Sequence, residues 1–292
     1  MENLSRQNIK NRFSSVLLTR PYFRDHCFDG KTIVPAVEAQ ITLASAVKSH
    51  HPQAALNHLT DIRFPRILAI EPAGEQQDVQ IEIETQACGI SASLLTSIQV
   101  KNSTIRRTLE HARMTFVQNT VLPEPEMSFQ TAQKLETACI HIPAVSIYRE
   151  LIPFGLSYQN IIGDLSVSPE GALADISGGG GEADDSFLGS PFVLDATMHA
   201  ACVWGQRFTG IVPFPVGFDE RRIYRPTRKG ATYLSRIAPV DVGYDSLIFD
   251  AWIFDQNGVI CESIRSLRMR DITRGRMRPP AWIKGGAWKK SF

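Results

Sequence analysis

Asp195 and His199 stand four residues apart in the run FVLDATMHAACVWGQRF, residues 192–208. At helical spacing they share one face. The run is otherwise apolar nearly all round, the pattern of a helix buried in a core. A carboxyl among Val193, Leu194, Met198 and Val203 is costly to bury unless it is paired or protonated. Desolvation favours the protonated form, so Asp195 is expected to keep its proton and serve as a general acid. The alternative is an acid near a helix start that caps local backbone donors. His26 lies in RDHCFDGKTIVPA, followed by Gly30, Pro35 and another helical run. A histidine just ahead of a helix N-terminus can act as a general base, and the helix-end amides can meet a developing oxyanion. The alternative is a loop histidine with no role.

Two helices and several strands must position these groups. The first helix is expected from Pro35 through AVEAQITLASAVKS, since proline suits the first helical position. Val37, Ile41, Ala44 and Val47 fall on one stripe of it. DVQIEIETQ alternates Val79, Ile81 and Ile83 with polar residues, and SASLLTSIQVKN puts Leu94, Ile98 and Val100 on one parity. DSLIFDAWIFD places Leu247, Phe249, Ala251 and Ile253 on one face. The turn signal Asp255–Gly258 and the returning strand VICESIRSLRMRD follow it. Each half thus offers one long apolar helix followed by meandering strands. That order predicts an α+β double hot-dog, two long central helices each wrapped by an antiparallel β-sheet. The expected boundaries are an N-terminal hot dog at 1–120, a linker at 121–140, a C-terminal hot dog at 141–273 and a basic tail at 274–292.

Composition narrows the function classes. The 292 residues suit about two globular units. With 43% hydrophobic and 21% charged residues, the chain can bury a full core. A net charge of +1 gives no reason to expect nucleic acid or an anionic membrane as partner. No apolar run approaches the roughly 18–20 residues of a transmembrane helix, and the polar start MENLSRQNIKNRF lacks a secretory pattern. A cytoplasmic protein is expected. Five scattered cysteines without a CxxC pair, and seven histidines without HxxxH or HExxH, predict no metal site.

The motifs then carry a resemblance. HCFDGKTIVP fits HxxxGxxxxP through His26, Gly30 and Pro35. SPFVLDATMH resembles HPxxLDxxx followed by Gln or His, through Pro191, Leu194, Asp195 and His199. FGLSYQ at Phe154–Gln159 resembles YGPxFQ, and VPFPVG near Pro213 resembles a later LPF segment. In that order, over roughly residues 10 to 272, the chain resembles the polyketide synthase dehydratases, a double hot-dog family. The resemblance implies that His26 removes the α-proton of a 3-hydroxyacyl thioester and that Asp195 protonates the departing hydroxyl. His199 would orient Asp195, and the Gly30 amide with the start of the first helix would polarise the thioester carbonyl. Phe154, Gly155, Tyr158 and Pro213 would touch substrate. Phe154, Leu156, Tyr158 and Ser190 depart from the family's usual Tyr, Pro, Phe and His. These departures leave open a double-bond isomerase, a product-template-like cyclase, or a non-catalytic acyl-binding subunit.

The resemblance also implies partners. No cofactor is expected beyond the phosphopantetheine that carries the substrate. An acyl carrier protein and separate synthase chains would be partners, with a homodimer as a further expectation. Arg221, Arg222 and Arg225 form a basic cluster suited either to a solvated face or to carrier docking. Three further signals are set aside. Gly178–Gly181 is followed by Glu182, Asp184 and Asp185 instead of a Lys-Ser/Thr, so it reads as a flexible loop and not a phosphate cradle. Gly243–Leu247 mimics a carrier-protein attachment site but leads into a strand pattern. Cys27, beside His26, reads as packing.

Overall fold

The computed structural model describes residues 9–71, 74–99, 104–180 and 186–284. Val100, Gly181, Glu182, Asp184, Asp185, Lys289 and Lys290 lie outside them. The first half runs through β1 (Ile9–Leu18), β2 (Cys27–Phe28), β3 (Lys31–Thr32), α1 (Ala36–His50), β4 (His58–Arg63), β5 (Gln76–Gln86), β6 (Gly89–Gln99) and β7 (Arg106–Val117). The second continues with α2 (Phe129–Ala132), β8 (Ile140–Pro143) and α3 (Ala144–Ser146), which passes into a π-helical turn at Ile147–Leu151. Then come β9 (Ile161–Ser168), β10 (Gly171–Ser177), α4 (Pro191–Phe208), β11 (Phe214–Ile223), β12 (Thr232–Val242), β13 (Ser246–Asp255) and β14 (Ile260–Arg270).

Twelve strands pair antiparallel in one sheet, ordered β1-β5-β6-β7-β4-β11-β14-β13-β12-β10-β9-β8. Strands of the first half pack on α1 and those of the second on α4. The β4–β11 pair joins them, with Arg63 opposite Gly217 and His58 opposite Arg222. This is the double hot-dog arrangement, with both sheets continuous across one seam. The two helices also contact each other.

Local chemistry explains each helix. Pro35 caps α1 in an extended conformation, and Val37, Ala44 and Val47 are buried. The α4 helix is buried from Pro191 through Gln206. Ser190 is its N-cap: its hydroxyl accepts from the Phe192 amide at 3.3 Å and donates to the Gly178 carbonyl at 2.7 Å. Capping is therefore done by Ser190, and Asp195, one turn further in, is not the cap. Gly178 and Gly179 are buried against this helix start, so this part of the glycine run is packed and not a free loop.

The strand patterns hold where the core covers them. Val79, Ile81 and Ile83 are buried, as are Leu247, Phe249, Ala251 and Ile253. Ile98 is the exception at 46% exposure, because the end of β6 runs past the core. Asp255 Oδ1 accepts from the amides of Asn257 and Val259, both at 2.9 Å, and closes the β13–β14 turn. Ser246 opens β13, so no helix follows the Gly243–Leu247 segment. Part of the expected tail is docked: Arg207 Nη1 donates to the Ile283 carbonyl at 3.0 Å, and Ile283 is buried. Among the described residues no helix is long and apolar enough to cross a membrane.

Arg221 corrects an expectation. It does not face a carrier; it is 3% exposed, inside the protein. Its guanidinium donates to Glu262 Oε2 of β14 at 2.8 Å, to Gln40 Oε1 of α1 at 3.0 Å and to the Leu188 carbonyl ahead of α4 at 2.9 Å. Removing one partner of a buried ion pair strands the other charge. Arg221→Met is expected to lower the unfolding free energy by about 3–5 kcal/mol. Urea denaturation measures it, and a loss within ~1 kcal/mol would assign the pair no more weight than a surface contact.

Candidate active site

His26, Asp195 and His199 meet at one cavity of about 450 Å³. His26 comes from the segment between β1 and α1, and the two others from α4, so each half contributes. All three are buried, at 8%, 4% and 5% exposure. The rest of the wall is mainly apolar, with Ala39 from α1, Met198 from α4 and Phe154 and Pro213 from loops among its members.

His26 is held by a turn. Asp29 and Gly30, both with positive φ (51° and 71°), form the two-residue loop of the β2–β3 hairpin. Asp-Gly at these positions suits the mirror-image turn that such hairpins need. The hairpin brings Ile33 back so that His26 Nδ1 lies 3.2 Å from its carbonyl. A carbonyl only accepts, so Nδ1 carries the hydrogen and Nε2 keeps the free lone pair. Burial holds the His26 pKa down to about 4, against the raising field of Asp195, while His199 lowers it further. His26 is thus neutral near pH 7, with a lone pair available. Gly30 itself is exposed and does not line the cavity, so its expected contact with a thioester carbonyl is corrected. Ala36, at the start of α1, does line it; the Glu38 and Ala39 amides bond the Pro35 carbonyl, which leaves the Ala36 and Val37 amides as the donors at this helix start. Pro35 only starts the helix.

The Phe154–Tyr158 segment backs His26 from the other half. The Phe154 ring lies 4.3 Å from the imidazole and Tyr158 4.9 Å. Phe154 lines the cavity, whereas Gly155 and Tyr158 do not, which corrects their expected substrate contact. Tyr158 is fully buried behind His26, and Leu156 is 83% exposed. Gly155 serves packing: a Cβ there would fall 2.3 Å from the Asp25 carboxylate. That carboxylate accepts from the amide and hydroxyl of Ser157 at 2.9 and 2.6 Å. Asp25 therefore ties the His26 segment to the opposite half. No motif marks Asp25, although an acid next to the histidine is a visible signal.

On α4, His199 Nε2 is 3.0 Å from Asp195 Oδ2, an ion-pair distance, and both atoms are buried without a hydrogen-bond partner. The Tyr148 hydroxyl lies 3.4 Å from His199 Nδ1. Cys202, one turn on, lines the cavity, and burial pushes its thiol up to about 12. Cys27, by contrast, is exposed and not packed. Arg222 is half-buried against Glu220 at 2.8 Å, and the exposed Arg225 pairs with Asp255 at 3.2 Å. Neither lines the cavity or the groove that adjoins it.

With the geometry in place, comparison with known proteins adds the lineage. Residues 145–279 match the family model described as the polyketide synthase dehydratase N-terminal domain. This segment belongs to the polyketide synthase dehydratase family. The chain is also 23% identical over 249 residues to the naringenin synthase of Pestalotiopsis fici, covering 76% of the chain but only 9% of that protein's length. Its fold matches the dehydratase domain from the CurJ module of the curacin polyketide synthase, at TM-score 0.72, 19% identity, and 95% and 96% coverage of the two chains. A trans-AT polyketide synthase dehydratase domain from Brevibacillus brevis matches at TM-score 0.66 and 20% identity, covering 90% and 94%. An isomerase-inactive variant of GphF DH1 matches at TM-score 0.69 and 15% identity, covering 92% and 94%.

Glu38 is a further buried acid near this site. It stands at the third position of α1, where a Glu usually reaches back to the cap amide. Pro35 has no such amide. Glu38 turns inward instead and accepts from the Tyr22 hydroxyl at 2.9 Å. Burial raises its pKa to about 7, opposed by Tyr22 and Arg20 and assisted by Asp195. Between about pH 4.5 and 7 the folded state holds a proton here that the unfolded chain has released. This group's stabilisation is therefore full below 4.5 and lost as pH rises through 7. His26 acts in the opposite direction, weakening the fold as pH falls from 6.5 towards 4. Glu38→Gln is expected to reduce the loss of stability between pH 6 and 8. Urea midpoints at the two pH values test this, and an unchanged loss would contradict it.

Proposed function

We propose that this chain dehydrates a 3-hydroxyacyl thioester to a 2-enoyl thioester, with the acyl group presented on the phosphopantetheine of an acyl carrier protein. The observation that supports this most is the meeting of a neutral, buried His26 with Asp195 at one apolar cavity. An α-proton beside a thioester is weakly acidic, and hydroxide is a poor leaving group. The reaction therefore needs a base and an acid on the two carbons together. His26 Nε2 takes the α-proton, the β C–O bond breaks as the double bond forms, and Asp195 gives its proton to the oxygen, which leaves as water. The first amides of α1, beside Ala36, face the carbonyl oxygen as charge builds on it. The apolar wall accepts the acyl chain and excludes bulk water. Cytoplasmic placement, and synthase components as partners, belong to the same reading.

Carrier approach is assigned to the groove beside the cavity. It shares Phe64, Pro65, Val216 and Ile272 with the cavity wall. In it Arg63, Arg268 and Arg270 pair with Asp61, Asp219 and Asp245. Arg274 in the groove and Arg66 on the cavity wall are the cations left to meet the phosphate of the pantetheine arm or an acidic carrier. Arg221 is buried, and Arg222 and Arg225 do not line this groove.

Two experiments test the reading. Incubated with 3-hydroxyacyl and 2-enoyl thioesters, the wild type is expected to lose or add water. His26→Ala and Asp195→Asn are each expected to reduce this by about 10²–10⁴-fold. Binding without turnover, or a double-bond shift without water loss, would contradict it. Reversing charge at Arg274 should raise KM roughly tenfold for carrier-bound substrate and leave a small thioester unaffected. Equal effects on both substrates would remove the docking assignment.

A further inference from the structure

The second partner of His199 determines what Asp195 can do. Tyr148 is 6% exposed in the π-helical turn, a local departure from α-helix that recurs at functional sites. Its hydroxyl accepts from the backbone amides of Asn160 at 3.0 Å and Ile161 at 2.9 Å. A phenol has one proton and two acceptor sites. Both acceptor sites are used, so the remaining polar capacity is the O–H, which lies 3.4 Å from His199 Nδ1. Burial pushes the Tyr148 hydroxyl above its ordinary range, so it stays protonated. His199 Nδ1 must then accept.

In a neutral imidazole one nitrogen donates and the other accepts. With Nδ1 accepting, Nε2 carries the hydrogen, and Nε2 is the nitrogen 3.0 Å from Asp195 Oδ2. His199 then turns a hydrogen, and not a lone pair, towards the carboxyl of Asp195. With the opposite tautomer, a bare Nε2 would face the carboxyl and draw its proton. Asp195 would then give its proton to His199 and not to a leaving hydroxyl.

We propose that Tyr148 is a positioning residue that fixes the tautomer of His199 and so keeps the proton of Asp195 available to the substrate. The proposal rests on the dehydratase reading for the role of Asp195, but the tautomer itself does not. The same hydroxyl anchors the amides that open β9, just past the Phe154–Tyr158 segment behind His26. No single sequence motif marks Tyr148.

The test needs readouts that a purely structural tyrosine would not move. Nitrogen chemical shifts of His199 in the wild-type protein are expected to show a protonated Nε2 and a bare Nδ1. In Tyr148→Phe that preference should be lost. Its kcat for dehydration should fall about 10- to 100-fold, with KM little changed, since a wrong tautomer beside a catalytic carboxylate is known to be costly. In a His199→Gln background, Tyr148→Phe should cause no further loss of kcat, because the amide has no tautomer to set. A wild-type His199 protonated on Nδ1 would overturn the proposal, even if Tyr148→Phe failed to fold. So would an unchanged kcat in Tyr148→Phe, or an equal loss with and without His199, which would mark Tyr148 as a structural support alone. A wild type inactive on every thioester would defeat the dehydratase reading instead, while the nitrogen shifts would still decide the tautomer.

Discussion

Arg221 is buried, and its guanidinium holds three elements at once. Gln40 belongs to α1, Leu188 to the segment ahead of α4, and Glu262 to the strand beside β11. A buried guanidinium is tolerated only when its donors are met. The positions of its acceptors are therefore constrained together. The start of α1 brings Ala36 and Glu38, and the start of α4 brings Asp195 one turn in. The β4–β11 seam holds the two sheets edge to edge, and the two helices contact each other. The Arg221 cluster supplies the registration between them that a site shared by two halves requires.

A second tie acts closer to the chemistry. Asp25 reaches from the residue before His26 to the amide and hydroxyl of Ser157. His26 is therefore placed by the hairpin of its own half and by a loop of the other. Burial then does the chemical work. The same desolvation that keeps His26 neutral raises Glu38 towards neutrality. The region at the helix starts thus holds two acids, a base and a second histidine, all buried, where small changes in hydrogen bonding redirect protons.

Much of this was legible in the sequence, for physical reasons. The two helices and the alternating strands followed from periodicity, which records burial directly. Asp195 and His199 followed from helical spacing on an apolar face, and His26 from its place ahead of Pro35. The rest failed where contacts are made by tertiary structure alone. Arg221 looked like a surface cation because charge in a sequence does not report burial. Gly30 looked like an amide donor, but its φ shows a residue needed for the hairpin turn. Tyr158 and Gly155 sit on the side of their loop away from the cavity, a distinction no spacing encodes. Glu38 was hidden in a helix stripe, and Tyr148 in a π-helical turn that has no periodic signature.

The central claim is that one acyl chain meets a base from one half and an acid from the other. It is tested most directly by a crystal structure with a 3-hydroxyacyl pantetheine amide, a non-cleavable stand-in for the thioester. The account predicts the acyl chain in the cavity, its α-carbon about 3–3.5 Å from His26 Nε2 and its β-oxygen within hydrogen-bond reach of Asp195. An acyl chain bound elsewhere, or within reach of only one of the two residues, would contradict it.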